Sequence, residues 1–183
     1  MNLKKVDDQT LVNLCLNGDR FAREFLYSRF QSKMYNLCFR YCKNSDDASD
    51  IMQESFVKVF LKLDEFLFRS SLETWITRIT INTAIDYLKK QNRFLFIERH
   101  DFADDYIDAA DESEFIPQVS LDPDLLINLI KSLPDGARVV FNLYVFERLS
   151  HKEIALRLGL SEGTTKSQLS RARMLLKNAL IER

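Results

Sequence analysis

The chain contains 183 residues with a formal net charge of -1, because 26 Lys and Arg residues are balanced by 27 Asp and Glu. This balance argues against a histone-like nucleic-acid binder, and the length predicts one ordinary domain or two small ones. Hydrophobic residues make up 46% of the sequence, so we expect a packed core, and only 4 Gly and 3 Pro disfavour a turn-rich all-β fold.

The N-terminal ten residues, MNLKKVDDQT, lack the apolar stretch of a secretion signal, and no run of about 18 uncharged apolar residues predicts a membrane span. We therefore expect a cytoplasmic protein with reduced thiols. Cys38 and Cys42 lie one helical turn apart, as metal ligands can, but no CxxC or CxxH pair accompanies them. We interpret them, together with Cys15, as buried packing residues.

Capping residues and apolar periodicity predict three helices in the first part of the chain. Gly18 is expected to end the first helix, and Asp19 to cap a long second helix whose apolar positions include Phe21. Ser45 is expected to cap the third, since acidic residues follow it in the first turn, where the helix dipole favours them. This pattern is typical of a helical bundle.

A fourth helix is predicted after an interruption that spans residues 66–71. Ser70 and Glu73 match a capping box at its start, and its apolar positions continue to a predicted end near Arg93. Trp75 lies in the first turn of this helix. We interpret it as a core residue, because a large aromatic side chain at a helix start usually packs.

Charge is distributed unevenly along the chain. Residues 1–94 carry a net charge of +3 and residues 125–183 one of +5, whereas residues 95–124 combine 1 basic with 10 acidic side chains. This middle block shows no sustained helical period and is predicted to be an acidic linker. Its scattered apolar residues leave two interpretations open, a segment that docks onto a partner and a solubilising tether.

The C-terminal part shows closely spaced helix signals. Pro134 is expected to open one helix, and Ser150 with Glu153 forms a second capping box. Gly159 is expected to end that short helix, and Ser161 to cap the last one. A short helix, a turn with glycine and a longer helix form a predicted helix-turn-helix.

The last predicted helix has two distinct faces on a helical wheel. One face is mainly apolar around Leu169, includes Thr165, and is expected to pack inward. Between residues 163 and 181 the helix carries four basic residues and no acidic one. Such a basic helix suits binding to DNA phosphates and base edges, and the alternative is an ordinary basic surface exposed to solvent. The outward face contains Gly163, Thr164, Ser167, Ser170, Arg171 and Met174, flanked by Lys166 and Gln168.

Two long segments of the chain match a known pattern. The segment SLPDGARVVFNLYVFERLSHKEIALRLGLSEGTTKSQLSRARMLL resembles region four of the extracytoplasmic-function (ECF) RNA polymerase sigma factors. LuxR-type regulators share much of that pattern, but DDASDIMQESFVKVFLKLDEF with TWITRITINTAIDYLKKQNR is similar to sigma region two. The resemblance implies an all-α protein of two small helical domains, with region two at residues 1–94, an acidic linker at 95–121 and a region-four helix-turn-helix at 122–183.

The resemblance implies a factor without a catalytic centre or cofactor, which directs the polymerase core to promoters and helps to open the DNA. Region two of the family binds the β′ clamp helices of the core, and region four is implied to contact the β flap. A carboxylate metal site at Asp46, Asp50 and Glu54 is the alternative, although no E-x-x-H pair accompanies it. The implied polymerase-binding residues are Asp47, Asp50, Gln53 and Glu54.

The resemblance also assigns promoter contacts to two helices. The interruption at 66–71 resembles the base-capturing loop of the family, and the helix after it resembles the part of region two that opens the minus-ten element. The implied minus-ten residues are Arg78, Asn82, Lys89, Lys90 and Arg93, with Asp86 placed among them. The implied minus-thirty-five residues are Thr164, Lys166, Ser167, Ser170 and Arg171.

The sequence departs from the family pattern near the helix-turn-helix. Thr165 stands where Val is usual, so its inward-facing hydroxyl must either find a hydrogen-bond partner or be tolerated without one. Arg148 replaces a common Gly, and His151-Lys152 replaces a commoner Ser-Tyr pair. The family further implies an acidic linker in the basic RNA exit path, an anti-sigma protein as a candidate partner, and no small-molecule substrate. A helix-turn-helix regulator that binds duplex DNA without polymerase is the alternative function.

Overall fold

The computed structural model describes residues 6–91 and 123–181. Its described elements are all helical, which confirms the all-α prediction, and the chain divides into two compact units, Met1–Tyr87 and Leu88–Arg183. The division falls in the last turn of the fourth helix, and the predicted domain limits at 94 and 122 lie outside the described residues. No helix among the described residues is long and apolar enough to cross a membrane.

The described part of the N-terminal unit contains four α-helices and one 3₁₀ turn, and that of the C-terminal unit adds four more α-helices. The elements in chain order are α1 (Asp8–Leu16), α2 (Arg20–Tyr41), α3 (Ser45–Leu61), the 3₁₀ turn (Leu63–Glu65), α4 (Leu72–Lys90), α5 (Pro123–Ser132), α6 (Asp135–Phe141) with a π-helical continuation (Asn142–Phe146), α7 (His151–Leu158) and α8 (Glu162–Ile181).

Local capping explains where most of these helices begin and end. The side chain of Asp19 accepts the Ala22 amide at 2.9 Å, as predicted, and the Ser150–Glu153 capping box is complete. Gly18 and Gly159 have positive φ angles of 83° and 74°, a conformation that costs glycine no steric strain. The predicted helix ends at these two glycines are confirmed.

Two predicted caps are wrong by one residue. The cap of α3 is Asn44, whose Oδ1 accepts the Asp47 amide at 2.7 Å, so Ser45 is already the first helical residue. The cap of α4 is Ser71, whose Oγ accepts the Thr74 amide at 3.1 Å, so Ser70 forms no capping box. In both cases two adjacent residues are good caps, and the one whose side-chain oxygen reaches the amide three residues on is used.

The core of the N-terminal unit lies between α2, α3 and α4. Leu26 on α2, Ile51 on α3 and Ile76 on α4 are fully buried, and the Tyr27 and Phe56 rings meet with centroids 4.7 Å apart. Phe21, named with the apolar positions of α2, lies outside its buried face, because 73% of it is exposed. The inward stripe of α2 contains Ala22, Leu26, Phe30, Met34, Leu37, Cys38 and Tyr41.

The start of α4 is also tied to the first helix. Asp8 of α1 forms an ion pair with Arg29, whose Nη1 lies 2.9 Å from its carboxylate, and accepts a hydrogen bond from the Leu72 amide at 3.4 Å. Since the first amides of a helix have no partner within the helix, this carboxylate satisfies one of them and fixes the entry of α4 into the bundle.

The C-terminal unit packs α5 and α6 against the last helix. Leu129, Leu133 and Ala137 form a core cluster with Ala172 and Leu176 of α8. A buried arginine completes this packing.

Arg138 has no exposed surface, and its guanidinium donates to the carbonyls of Leu133, at 2.8 Å, and Lys131, at 3.3 Å, while it pairs with Asp135. These carbonyls end α5 and lack helical partners, so the buried cation is paired and hydrogen-bonded as burial requires.

Candidate functional site

The outer face of α4 carries a row of polar side chains. Arg78, Asn82 and Lys90 are exposed, as are Asp86 and Lys89, whereas the opposite face is buried. Since residues four apart share one side of a helix, the structure brings together on one surface every predicted minus-ten residue that it describes. Arg93 lies outside the described residues. We call this row, Arg78 to Lys90, the α4 strip.

An aromatic cluster lies at the start of the same helix. Phe66 is buried, and its ring centroid is 5.3 Å from that of Trp75 and 4.6 Å from that of Phe68. Trp75 packs on Phe66 but is only half-buried, so its interpretation as a core residue holds only in part. The loop that carries Phe68 thus rests on the body of the N-terminal unit.

The tip of this loop is strained and apolar. Phe68 has a positive φ of 56°, which a bulky side chain adopts only at a cost of about 1–2 kcal/mol, and 44% of it is exposed. Leu67 beside it is 65% exposed. Exposed aromatic and apolar side chains on a strained turn offer a stacking surface for an unstacked base.

The predicted polymerase-binding residues lie along α3. Asp50 and Gln53 are exposed, and Glu54 is half-buried with its carboxylate 2.9 Å from Lys58 Nζ. Asp47 accepts a hydrogen bond of 2.7 Å from the Tyr87 hydroxyl of α4. The structure therefore exposes Asp50 and Gln53, pairs Glu54 with Lys58 on the same helix, and engages Asp47 with a neighbouring helix.

The exposed side of α3 changes character along its length. Val57 and Leu61 are 57% and 75% exposed and continue the face that begins with Asp50 and Gln53. Such a face, acidic in its first half and apolar in its second, suits a partner helix with a matching pattern. Across residues 6–91 and 123–181, no group of three or more His, Cys, Asp or Glu side chains could hold a metal ion.

The outer face of α8 follows the helical wheel with one exception. Lys166 and Ser170 are exposed, and Thr164, Ser167 and Arg171 are partly exposed. Gln168, expected at the flank of this face, is buried with 5% exposed, so that expectation is wrong. It lies next to Leu169 and one turn before Ala172, two buried residues of α8.

Sequence reasoning missed a polar cluster behind this face. The Thr165 hydroxyl donates to the Glu162 carbonyl at 2.8 Å and lies 3.0 Å from His151 Nδ1. The His151 ring stacks on Tyr144, and the Arg173 guanidinium lies 5.7 Å from the centre of the Tyr144 ring. The only sequence signal was that Thr165 and His151 both depart from the family pattern.

Few titratable groups in the described residues show a clear pKa shift. Hydrogen bonds from Ser150 hold the pKa of Glu153 below its usual value, as a capping box predicts. Burial raises the pKa of the Cys15 thiol to about 11 and raises the pKa of Cys38 as well. All three cysteines are buried thiols, as predicted.

The comparisons with known proteins agree in both parts of the chain. Family models of sigma-70 region 2 and of sigma-70 region 4 match residues 26–94 and 124–176. The chain is 33% identical to the ECF RNA polymerase sigma-E factor of Salmonella typhimurium and 32% identical to that of Escherichia coli, each over 96% of this chain and 95% of the relative.

Two solved structures have a similar fold. The complex of CnrH with the cytosolic domain of CnrY matches with a TM-score of 0.50 over 96% of this chain and 97% of the other. The sigma factor RpoE of Bartonella quintana, solved with the anti-sigma factor NepR, matches with a TM-score of 0.52 over 86% and 95%. Both are 22% identical to this chain, so they bear on the fold alone.

Proposed function

Since this chain belongs to the ECF family of RNA polymerase sigma factors, we propose that it first binds the polymerase core and then recognises two promoter elements. The face of α3 with Asp50, Gln53 and Glu54 docks onto the clamp helices of the core. The α4 strip and the loop at 66–71 act on the minus-ten element, and the outer face of α8 reads the minus-thirty-five element.

One observation carries this proposal: a strained apolar loop directly precedes the helix that carries the polar α4 strip. Opening a promoter requires a surface for an unstacked base and cations for the strand that leaves the duplex. Phe68 supplies the first, and Arg78, Lys89 and Lys90 supply the second. Asn82 lies between Arg78 and Lys89 on the strip, and its side-chain amide can both donate a hydrogen bond to a base edge and accept one from it.

The chemistry of RNA synthesis is then entirely that of the polymerase. We propose that the chain has no catalytic centre of its own and acts by differential binding, which stabilises the open promoter relative to the closed one. An anti-sigma protein is a further proposed partner, because the similar sigma factor RpoE of Bartonella quintana was solved with the anti-sigma factor NepR. Work with the polymerase core implies a cytoplasmic location.

Region four is proposed to bind through the first turns of α8. In a helix-turn-helix the N-terminal residues of the recognition helix contact base edges, while other cations hold phosphates. Lys166 and Arg171 lie in that half of α8, and Lys177 lies about 16 Å further along the same side as Lys166. Lys177 is therefore a matched control of equal charge.

The test is run-off transcription with core polymerase and a promoter library. Arg171→Ala is expected to weaken a subset of promoters by about 5- to 100-fold, the range of one base contact. Lys166→Ala is expected to weaken all promoters and to reduce the salt slope by about 1. Lys177→Ala should leave promoter choice unchanged.

Two results would contradict the proposal. Unaltered transcription with both Arg171→Ala and Lys166→Ala would remove α8 from promoter recognition. Tight, sequence-specific binding of duplex DNA by the chain without core polymerase would favour the alternative, a free-standing helix-turn-helix regulator.

A further inference from the structure

The first turn of α8 contains a threonine with no exposed surface, Thr165. Its hydroxyl donates to the Glu162 carbonyl at 2.8 Å, so the hydroxyl oxygen is left as an acceptor. His151 Nδ1 lies 3.0 Å from that oxygen. With the hydroxyl proton donated to the Glu162 carbonyl, we assign Nδ1 of His151 as the donor to Thr165; this assigns the tautomer from the hydrogen-bond pattern.

The imidazole of His151 is itself held in place. It stacks on the Tyr144 ring with centroids 4.8 Å apart and ring planes inclined by 28°. Tyr144 in turn lies beneath the guanidinium of Arg173. A continuous set of contacts thus runs from the π-helical turn, through the start of α7, to the first turn of α8.

We propose that His151 is a positioning residue for promoter recognition. Through Thr165 it fixes the first turn of α8, so that the neighbouring side chains of Thr164 and Lys166 meet the minus-thirty-five DNA at a set angle. Base contacts tolerate misplacement of only about 0.5 Å, and two hydrogen bonds on one hydroxyl restrict that turn more than packing alone does. This inference rests on the proposed role of α8 in reading DNA.

The rival explanation is that the pair only stabilises the C-terminal unit. One half-buried hydrogen bond contributes about 1 kcal/mol to folding whether or not the helix meets DNA. Stability alone therefore cannot separate the two explanations. The informative measurement is how strongly the holoenzyme prefers one upstream sequence over others, because a loss of folded protein lowers binding to all sequences equally.

The experiment uses holoenzyme assembled from core polymerase and the full chain. Upstream elements are selected from a duplex library, and affinity for the best element is compared with affinity for scrambled upstream DNA. The variants are Thr165→Val, which keeps the shape and removes the hydroxyl, His151→Ala, and the double variant. Thr165→Ser keeps the hydroxyl, and Leu156→Ala alters a residue of α7 that is 87% exposed.

Each single variant is expected to reduce the preference for the best element by about fivefold, the equivalent of one hydrogen bond. The double variant should lose no more than His151→Ala alone, since the hydrogen bond that Thr165→Val removes is already absent there. Thr165→Ser and Leu156→Ala should retain the wild-type preference. Thermal unfolding of each variant, followed by circular dichroism, confirms that the chain is folded at the assay temperature.

Three results would overturn the inference. Unchanged preference in both singles, with or without a lower unfolding temperature, would leave the pair a purely structural contact. Additive losses in the double variant would show that His151 does not act through Thr165. If the wild-type holoenzyme prefers no upstream element, the proposed role of α8 fails, and the inference fails with it.

Discussion

Arg148 adopts a backbone conformation that suits glycine, and this allows a quantitative test of the structure. Its φ is 55°, and it precedes the capping box of α7 by two residues. The position is one where the sequence departs from a common Gly of the family. The side chain is exposed, so substitution changes the backbone energy and little else.

The expected gain follows from two opposing terms. An L-residue in the left-handed region is strained by about 1–2 kcal/mol, and glycine is not. Glycine loses more backbone entropy on folding, which costs about 0.5–1 kcal/mol. Arg148→Gly is therefore expected to stabilise the protein by about 0.5–1 kcal/mol, whereas Arg148→Ala, which keeps the Cβ, should not stabilise it.

The assay is urea unfolding of the full chain, followed by circular dichroism and by the fluorescence of Trp75. Trp75 is the single tryptophan and lies in the N-terminal unit, so its fluorescence reports on that unit, while circular dichroism follows the helices of both. A higher midpoint by circular dichroism for Arg148→Gly supports the reasoning. An equal or lower midpoint for Arg148→Gly, or a gain of the same size for Arg148→Ala, would refute it.

Three further predictions follow from individual contacts. Tyr87→Phe removes the hydroxyl that donates to Asp47 and should lower the free energy of unfolding by about 1–2 kcal/mol in urea titrations. Adding Asp47→Ala should cost little more, and a full additional loss would show that the two groups are not coupled. Because burial raises the pKa of Cys15 to about 11, the thiolate fraction of Cys15 at pH 8 should be about a hundredfold lower in the folded than in the unfolded chain. A thiol reagent should therefore label folded Cys15 slowly, and equally fast labelling with and without urea would contradict this. Asn82→Ala should reduce promoter opening by about 5- to 100-fold in permanganate footprinting, and unchanged opening would remove Asn82 from base recognition. Its matched control on the same strip is Asp86→Ala, which should increase DNA affinity because it removes a negative charge.

Features decided by a few neighbouring residues were predicted well. Asp19, the Ser150–Glu153 box and Gly159 all act where the sequence places them, because a cap needs only its own backbone and a residue three or four positions away. The prediction failed at Ser45 and Ser70, where an equally good cap is adjacent and the rest of the fold selects between them.

Features that depend on contacts distant in sequence were not predicted. Asp47 and Tyr87 are 40 residues apart, and His151 and Thr165 are separated by a complete helix and a turn. Their pairing depends on how helices dock, and a helical wheel does not contain that information. The wheel also misplaced Gln168, since it gives the direction of a side chain on its own helix and not what the rest of the fold packs there.

The unbroken course of α4 has a consequence for the spacing of promoter contacts. From Leu72 to Lys90 the helix rises about 27 Å, which is the length of roughly eight base pairs of duplex DNA. Under the proposed function, the length of α4 sets the distance between the base bound at its start and the strand bound at its end, so the two contacts lie a fixed number of nucleotides apart. One residue inserted in the middle of α4 would lengthen the helix by only about 1.5 Å. It would also rotate Lys89 and Lys90 by about 100° relative to Arg78, so that the strip would no longer form one surface.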